Sequence, residues 1–337
     1  MKILITGAAG GIGSTLGYHL HKRGHDLILV DNLRNGYLEN LKIDGETFGS
    51  FYQIDINSIE FYDLVKEKNP EVVVHLAAIT SLPDCEVNSA ECIRINVEGT
   101  VSVMEACRKS GVSRIIFAST SAVYENTEVS LEAGFDESDD INPRLFYSLS
   151  KKMAEEICLS YIQNYGMDIL ILRFFNVFGP KQDIHRKSPP LINYIVREFK
   201  KGRTPVLHSD GNQSRDYVYS EDVAEIIERC LEIQNPEERI FNVSSDTSVS
   251  VRDVVSAIKK GIPQFSYIEE EYRSPEKLWD SYPSLFEGKF PLKRETVEKE
   301  TNKKSIGKNK LAKKILGWNP STKILDLIEK VSNQIDI

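Results

Sequence analysis

The sequence predicts an α/β protein built on a doubly wound parallel sheet. Three observations carry this. Short, continuously apolar runs recur through the first half of the chain. Segments with helical spacing separate them. A glycine-rich turn joins the first run to the first helix. Runs that are apolar throughout, rather than alternating, suit strands covered by helices on both faces. The βαβα order argues for parallel strands joined by crossover helices.

Each element follows from local chemistry. Residues 2–6 are an apolar run of strand length. Residues 14–23 have helical spacing and end at Gly24. Residues 27–30 and 51–54 read as the next strands, and 59–68 as a helix stopping before Pro70. Residues 72–76 and 114–118 are further strands, separated by a long helical stretch over about 90–109. A helix over 145–165 precedes a strand at 168–172. Beyond about residue 177 prolines and glycines are denser (Gly179, Pro180, Pro189, Pro190). Regular pattern returns with a helix over 221–231 and a strand over 240–243, which rejoin the sheet. Residues 267–304 are charged and carry Trp279, Tyr282, Phe286 and Phe290. They read as an irregular segment that packs through its aromatics.

The composition bounds the partners. The 337 residues suit one large domain or two interleaved ones, and 41% hydrophobic content supplies a sizeable core. The net charge of −8 disfavours nucleic acid or an anionic membrane as partner. No run is long enough to span a membrane, and the start does not read as a signal peptide. The five cysteines, an odd count without CxxC, read as reduced thiols. The six histidines form no HExxH motif. The expectation is a cytoplasmic protein without a metal.

Three motifs carry chemistry. The first is the turn Thr6-Gly7-Ala8-Ala9-Gly10-Gly11-Ile12-Gly13. Glycines between a strand and a helix let backbone N–H groups approach a pyrophosphate at the helix N-terminus. Asp31 ends the next strand, 18 residues past Gly13. A carboxylate there accepts from ribose hydroxyls and repels a 2′-phosphate, favouring NAD, while Arg34 leaves NADP open. The second motif is Tyr147-Ser148-Leu149-Ser150-Lys151. Positions four apart share a helix face. An ammonium ~4 Å from the phenol is worth about 4 kcal/mol at an effective dielectric of ~20, or roughly three pKa units, enough to bring a tyrosinate toward neutral pH. The third is Ser119-Thr120-Ser121-Ala122-Val123-Tyr124, at the carboxyl end of a strand, where ligands bind in open α/β sheets.

Together these motifs resemble the extended short-chain dehydrogenase/reductase family, specifically its nucleotide-sugar epimerases and dehydratases. Further stretches are similar: Asn32 after the second strand, Asp55-Ile56, His75-Leu76-Ala77-Ala78, Asn96, the run from Arg173 to Pro180, Arg215-Asp216-Tyr217-Val218, and Leu316-Gly317-Trp318-Asn319-Pro320. The resemblance implies a Rossmann-type NAD-binding domain, residues 1–176 and about 218–250. It implies a smaller, mixed substrate-binding domain, about 177–217 and 251–337.

It implies cofactor contacts from Gly7, Gly10, Gly11, Ile12, Gly13, Asp31, Asn32, Asp55, Ile56, Leu76, Ala77, Ala78, Asn96, Ser119, Tyr147 and Lys151. It implies Thr120, Tyr147 and Lys151 as catalytic residues, and sugar-nucleotide contacts from Thr120, Tyr147, Asn176, Leu191, Arg215 and Arg294. It also implies a homodimer through helices 90–109 and 145–165. The match is incomplete: Glu125 stands where members usually have Gly, and Pro190 where hexose 4-epimerases carry an asparagine.

Dehydratases and decarboxylases of that family place an acid beside the Ser/Thr. Ser121 and Ala122 stand there instead. Without that acid, dehydration lacks its general acid. The expectation is an NAD-dependent 4-epimerase of a nucleotide sugar, a UDP-sugar foremost. The alternatives are a 4-keto-sugar reductase or 4,6-dehydratase-like member, and, in another class, a non-catalytic NAD(P)-binding regulator.

Overall fold

A computed structural model describes residues 1–335. Seven parallel strands form the main sheet: β1 (Lys2–Thr6), β2 (Asp26–Asp31), β3 (Ser50–Gln53), β4 (Val72–His75), β5 (Arg114–Thr120), β6 (Asp168–Phe174) and β7 (Ile240–Val243), in spatial order β7-β6-β5-β4-β1-β2-β3. The order reverses between β1 and β4, which is where an open α/β sheet leaves a crevice at its carboxyl edge. Register places Thr6 between Val30 and His75, and Ser119 and Thr120 against Arg173 and Phe174. The chemistry-bearing strand ends therefore share one edge.

Helices cover both faces: α1 (Gly11–His21), α2 (Ile59–Lys68), α3 (Gly99–Ser110), α4 (Phe146–Tyr165) and α5 (Ser220–Glu232). Two apolar layers result. One holds Ile3, Ile5, Leu16, Leu29, Ile116, Leu170 and Ile227; the other holds Leu4, Ile28, Phe61, Val73, Met104, Ile115 and Ile169. Adjacent residues of one strand divide between the two layers, which is why the strands are apolar throughout.

A smaller lobe follows β6. Strand Ser214–Tyr219 pairs in parallel with Asn176–Phe178 and antiparallel with Ser248–Ser250. A separate parallel pair joins Val206–His208 to Glu271–Arg273. Helices Leu191–Lys200, Val251–Gly261 and Ile324–Gln334 close their own apolar cluster behind these strands. Trp318 is fully buried and donates its indole N–H to the Asp222 carbonyl at 2.9 Å, fastening the C-terminal region to α5.

Several expectations need correction. The stretch read as one helix over 90–109 is Ser89–Ile93, a wide π-helical turn at Arg94–Glu98, then α3. The segment 267–304 is not wholly irregular: it contributes the edge strand Glu271–Arg273 and the helix Arg294–Asn302. Trp279 and Tyr282 do pack, with Leu145, Leu285 and Val297, but Phe290 is 88% exposed.

Candidate active site

The site lies in a cleft of about 430 Å³ along the carboxyl edge of the sheet. At its base is the β1–α1 turn. Gly7 adopts φ +68°, and a Cβ there would stand 2.8 Å from the Ala77 nitrogen. A Cβ on Gly13 would stand 2.2 Å from the Gly7 carbonyl oxygen. Glycine is therefore the residue that lets this turn close against the β4 loop. Asp31 ends β2 nearly buried, its carboxylate accepting from the N–H groups of Ala9 (3.0 Å) and Leu33 (2.7 Å). Burial pushes its pKa up, against those two donors. Asn32 donates its side-chain amide to Asp55 at 3.1 Å. Gly10, Gly11, Ile12, Ile56, Leu76, Ala77 and Ala78 line the same end of the cleft.

Asn96 sits in the π-helical turn and does not line the cleft. It is buried, accepts from the Ile79 N–H at 2.8 Å and donates to the Ile79 carbonyl at 3.0 Å and to Ser150 at 3.0 Å. It pins the β4 loop to α4 instead of facing a ligand. His75 behaves similarly. It pairs with Thr6 at 2.8 Å, and burial lowers its pKa to about 3, so it is neutral.

Tyr147 and Lys151 project from the first turns of α4, and Ser119 and Thr120 from the end of β5; all four line the cleft. Two carboxylates hold the N-terminus of α4. Glu125 accepts from the N–H groups of Arg144 (3.2 Å) and Leu145 (3.0 Å), and Glu86 from that of Phe146 (2.6 Å). Anions at that position satisfy unpaired helix donors and complement the dipole. The Glu125 that departs from the family's glycine is thus part of the scaffold under Tyr147.

Lys151 alone does not make Tyr147 a tyrosinate. Burial pushes Tyr147 up to about 12, with the Thr120 hydroxyl and the Arg186 charge pulling the other way. The Lys151 ammonium donates to the Ala118 carbonyl at 2.8 Å. Burial lowers Lys151 to about 8. Desolvation is the largest influence on each side chain, and it disfavours the charged form of both. Behind them, Glu155 pairs with Arg173 at 2.8 Å, both nearly fully buried. Glu155 also accepts from Ser119, and Arg173 donates to the Tyr124 hydroxyl at 2.8 Å.

In the small lobe, Asn176 lines the cleft and donates to the Asp216 carbonyl at 2.9 Å. Arg215 lines it too, donating to the Glu300 carbonyl at 2.7 Å and to that of Lys303. Two expected sugar-nucleotide contacts fall elsewhere. Leu191 opens a helix and packs against the small-lobe apolar cluster, leaving Pro190 at the cleft. Arg294 is turned to the surface, with an ion pair to Asp280 at 2.5 Å and its guanidinium 3.4 Å above the Phe286 ring. Cleft residues that the sequence does not mark include Thr80, Gln182, Asp183, Arg186, Glu300, Lys303 and Ser305. Most come from the two stretches without regular pattern, where no local signal marks them.

The family model for the NAD dependent epimerase/dehydratase family matches residues 3–244. The chain belongs to that family. Members of it use NAD, and the glycine turn with its buried, cleft-facing Asp31 fits that cofactor. The UDP-glucose 4-epimerase of Mycolicibacterium smegmatis is 30% identical over 336 residues, covering 98% of this chain and 97% of its own. The UDP-N-acetyl-alpha-D-glucosaminuronate decarboxylase of Bacillus cytotoxicus is 32% identical over 269 residues, covering 76% and 79%. Among solved structures, UDP-glucose 4-epimerase of Thermotoga maritima with UDP-glucose superposes with a TM-score of 0.84 at 27% identity, covering 99% of this chain and 98% of that one. The family thus includes both epimerases and decarboxylases among relatives of similar identity. Among the described residues no helix is long and apolar enough to cross a membrane.

Proposed function

We propose that this protein is an NAD-dependent 4-epimerase acting on a UDP-sugar. The observation that carries the reading is the pairing of Thr120, Tyr147 and Lys151 in one cleft with no carboxylate at Ser121 or Ala122. A dehydratase needs an acid there to expel water. An epimerase needs only a group that takes and returns one proton.

Gly7, Gly10, Gly11, Gly13, Asp31, Asn32 and Asp55 would hold NAD, with Lys151 at its nicotinamide end. Bound NAD supplies a reversible hydride acceptor. In this reading the Tyr147 oxygen takes the proton of the sugar 4-hydroxyl, and Thr120 donates to the same sugar oxygen. The 4-keto sugar turns over, and Tyr147 returns the proton to the C4 oxygen, which gives the epimeric alcohol. The positive charge of oxidised nicotinamide, added to that of Lys151, would offset the desolvation that keeps Tyr147 protonated. Arg215 and Lys303 would clamp the diphosphate. The two-domain division, 1–176 with about 218–250 and about 177–217 with 251–337, then separates cofactor from sugar recognition.

A homodimer through α3 and α4 belongs to the same reading. Val101 and Met153 lie exposed on those helices, and light scattering of the purified protein tests it. The activity test is to incubate the protein with UDP-glucose, UDP-N-acetylglucosamine or UDP-glucuronate and follow the C4 epimer by NMR. No turnover of any nucleotide sugar would refute the assignment.

A further inference from the structure

The cleft contains a cation that neither the cofactor nor the diphosphate accounts for. Arg34, at the cofactor end, is neutralised by Glu91 at 2.5 Å. Arg215 and Lys303 belong to the small lobe and to each other through the Lys303 carbonyl. Arg186 belongs to neither group. It lines the cleft and donates one guanidinium N–H to the Thr80 hydroxyl at 3.2 Å. Its Nε is buried without any partner. Among the described residues, no carboxylate oxygen lies within 4.0 Å of its guanidinium nitrogens.

The groups facing Arg186 are Asp183, Asp84, Tyr282 and Tyr147. One oxygen of Asp183 is engaged by other donors: its Oδ1 accepts the Tyr37 hydroxyl at 2.7 Å and the backbone N–H groups of His185 and Arg186 at 2.8 and 3.1 Å, and the carboxylate makes no ion pair with the guanidinium. A half-buried guanidinium whose Nε is shut off from solvent is costly unless an anion meets it. Its planar fork suits a carboxylate, which it can bind through two parallel hydrogen bonds. It stands close enough for its charge to act on the Tyr147 phenol. The sugar 4-hydroxyl must reach that phenol, and C6 of a hexose is two bonds from C4.

We infer that the sugar carries a carboxylate at C6, and that Arg186 is the residue that binds it. The substrate class is then a nucleotide hexuronate rather than a neutral hexose. This rests on the epimerase reading and narrows it.

The experiment compares UDP-glucuronate with UDP-glucose in the NAD-loaded protein, with products followed by NMR. Arg186→Leu and Arg186→Lys are run beside the wild type. The expected wild-type kcat/KM is at least about tenfold higher for UDP-glucuronate. In Arg186→Leu the loss on UDP-glucuronate exceeds that on UDP-glucose at least about tenfold, mostly in KM, and Arg186→Lys recovers part of it. Equal losses on both sugars, with weakened binding of UDP alone, would assign Arg186 to the diphosphate and overturn the inference. So would a wild-type preference for UDP-glucose, which needs no variant to fold. Formation of a UDP-pentose with release of CO₂ would support the carboxylate class while refuting the epimerase reading. If neither sugar turns over, thermal shifts with the two ligands decide: a larger shift with UDP-glucose overturns the inference, and a larger shift with UDP-glucuronate upholds it.

Discussion

The Glu125 carboxylate accepts the Leu145 backbone N–H at 3.0 Å, one residue ahead of the helix that carries Tyr147 and Lys151. A long-range cap of this kind fixes where α4 begins, and so the height at which the phenol enters the cleft. Replacing Glu125 with Gly is expected to cost about 1 kcal/mol of stability, the ordinary worth of a helix cap. It should also lower kcat more than it raises KM. Urea denaturation and steady-state kinetics read the two effects. An unchanged denaturation midpoint would remove the cap from the account.

The Glu155–Arg173 pair is nearly fully buried and has no water to fall back on. Removing one partner leaves a buried charge uncompensated, at roughly 3–5 kcal/mol. Glu155→Gln is expected to lose stability in that range, and to disturb Ser119, whose hydroxyl it receives. The double variant Glu155→Gln/Arg173→Met should be less destabilised than the sum of its parts. Additive losses in a double-mutant cycle would show that the two side chains act independently.

Asp216 gives a pH prediction. It ties the strand bearing Arg215 to the C-terminal segment by accepting from Ser245 and from the Gly307 N–H at 3.2 Å. Burial raises its pKa to about 7, against these donors. An unfolded Asp titrates near 3.9. Between those values the folded state holds a proton that the unfolded state has lost. This contribution to stability is therefore complete below about pH 4 and lost as pH rises through about 7. Asp216→Asn removes that slope. The stability difference between wild type and variant should change by at least about 1 kcal/mol between pH 4.5 and 7.5. Parallel curves by thermal or urea unfolding would contradict it.

The seven strands of the main sheet were legible because a strand covered on both faces is apolar at every position, as Val72-Val73-Val74 is. β5 and β6 run two residues beyond their apolar pattern because Ser119, Thr120, Arg173 and Phe174 belong to the functional edge, where polar and aromatic residues interrupt the run. The helix Arg294–Asn302 was not legible: only Val297 and Thr301 of its residues are buried, too few to mark a face. Nor did the sequence reveal the π-helical turn, since its spacing differs little from the helices it joins. The pKa of Tyr147 is not legible in the sequence for a different reason. Burial is a tertiary property, and the helix spacing that places Lys151 near Tyr147 says nothing of how dry the pair will be. Arg186 and Lys303 lie in stretches whose place at the cleft is decided by long-range contacts, such as Tyr37 with Asp183 and Arg215 with the Lys303 carbonyl, and not by local pattern.

The central claim is that Tyr147 moves the proton in an interconversion at C4 of a UDP-sugar. The most direct measurement is the NMR time course of C4 epimer formation, with UDP-glucuronate and UDP-glucose, for wild type and Tyr147→Phe. The account predicts epimer from the wild type, a fall in rate of roughly 10²–10⁴-fold in the variant, and unchanged retention of NAD. Epimer formation by Tyr147→Phe at the wild-type rate would contradict it.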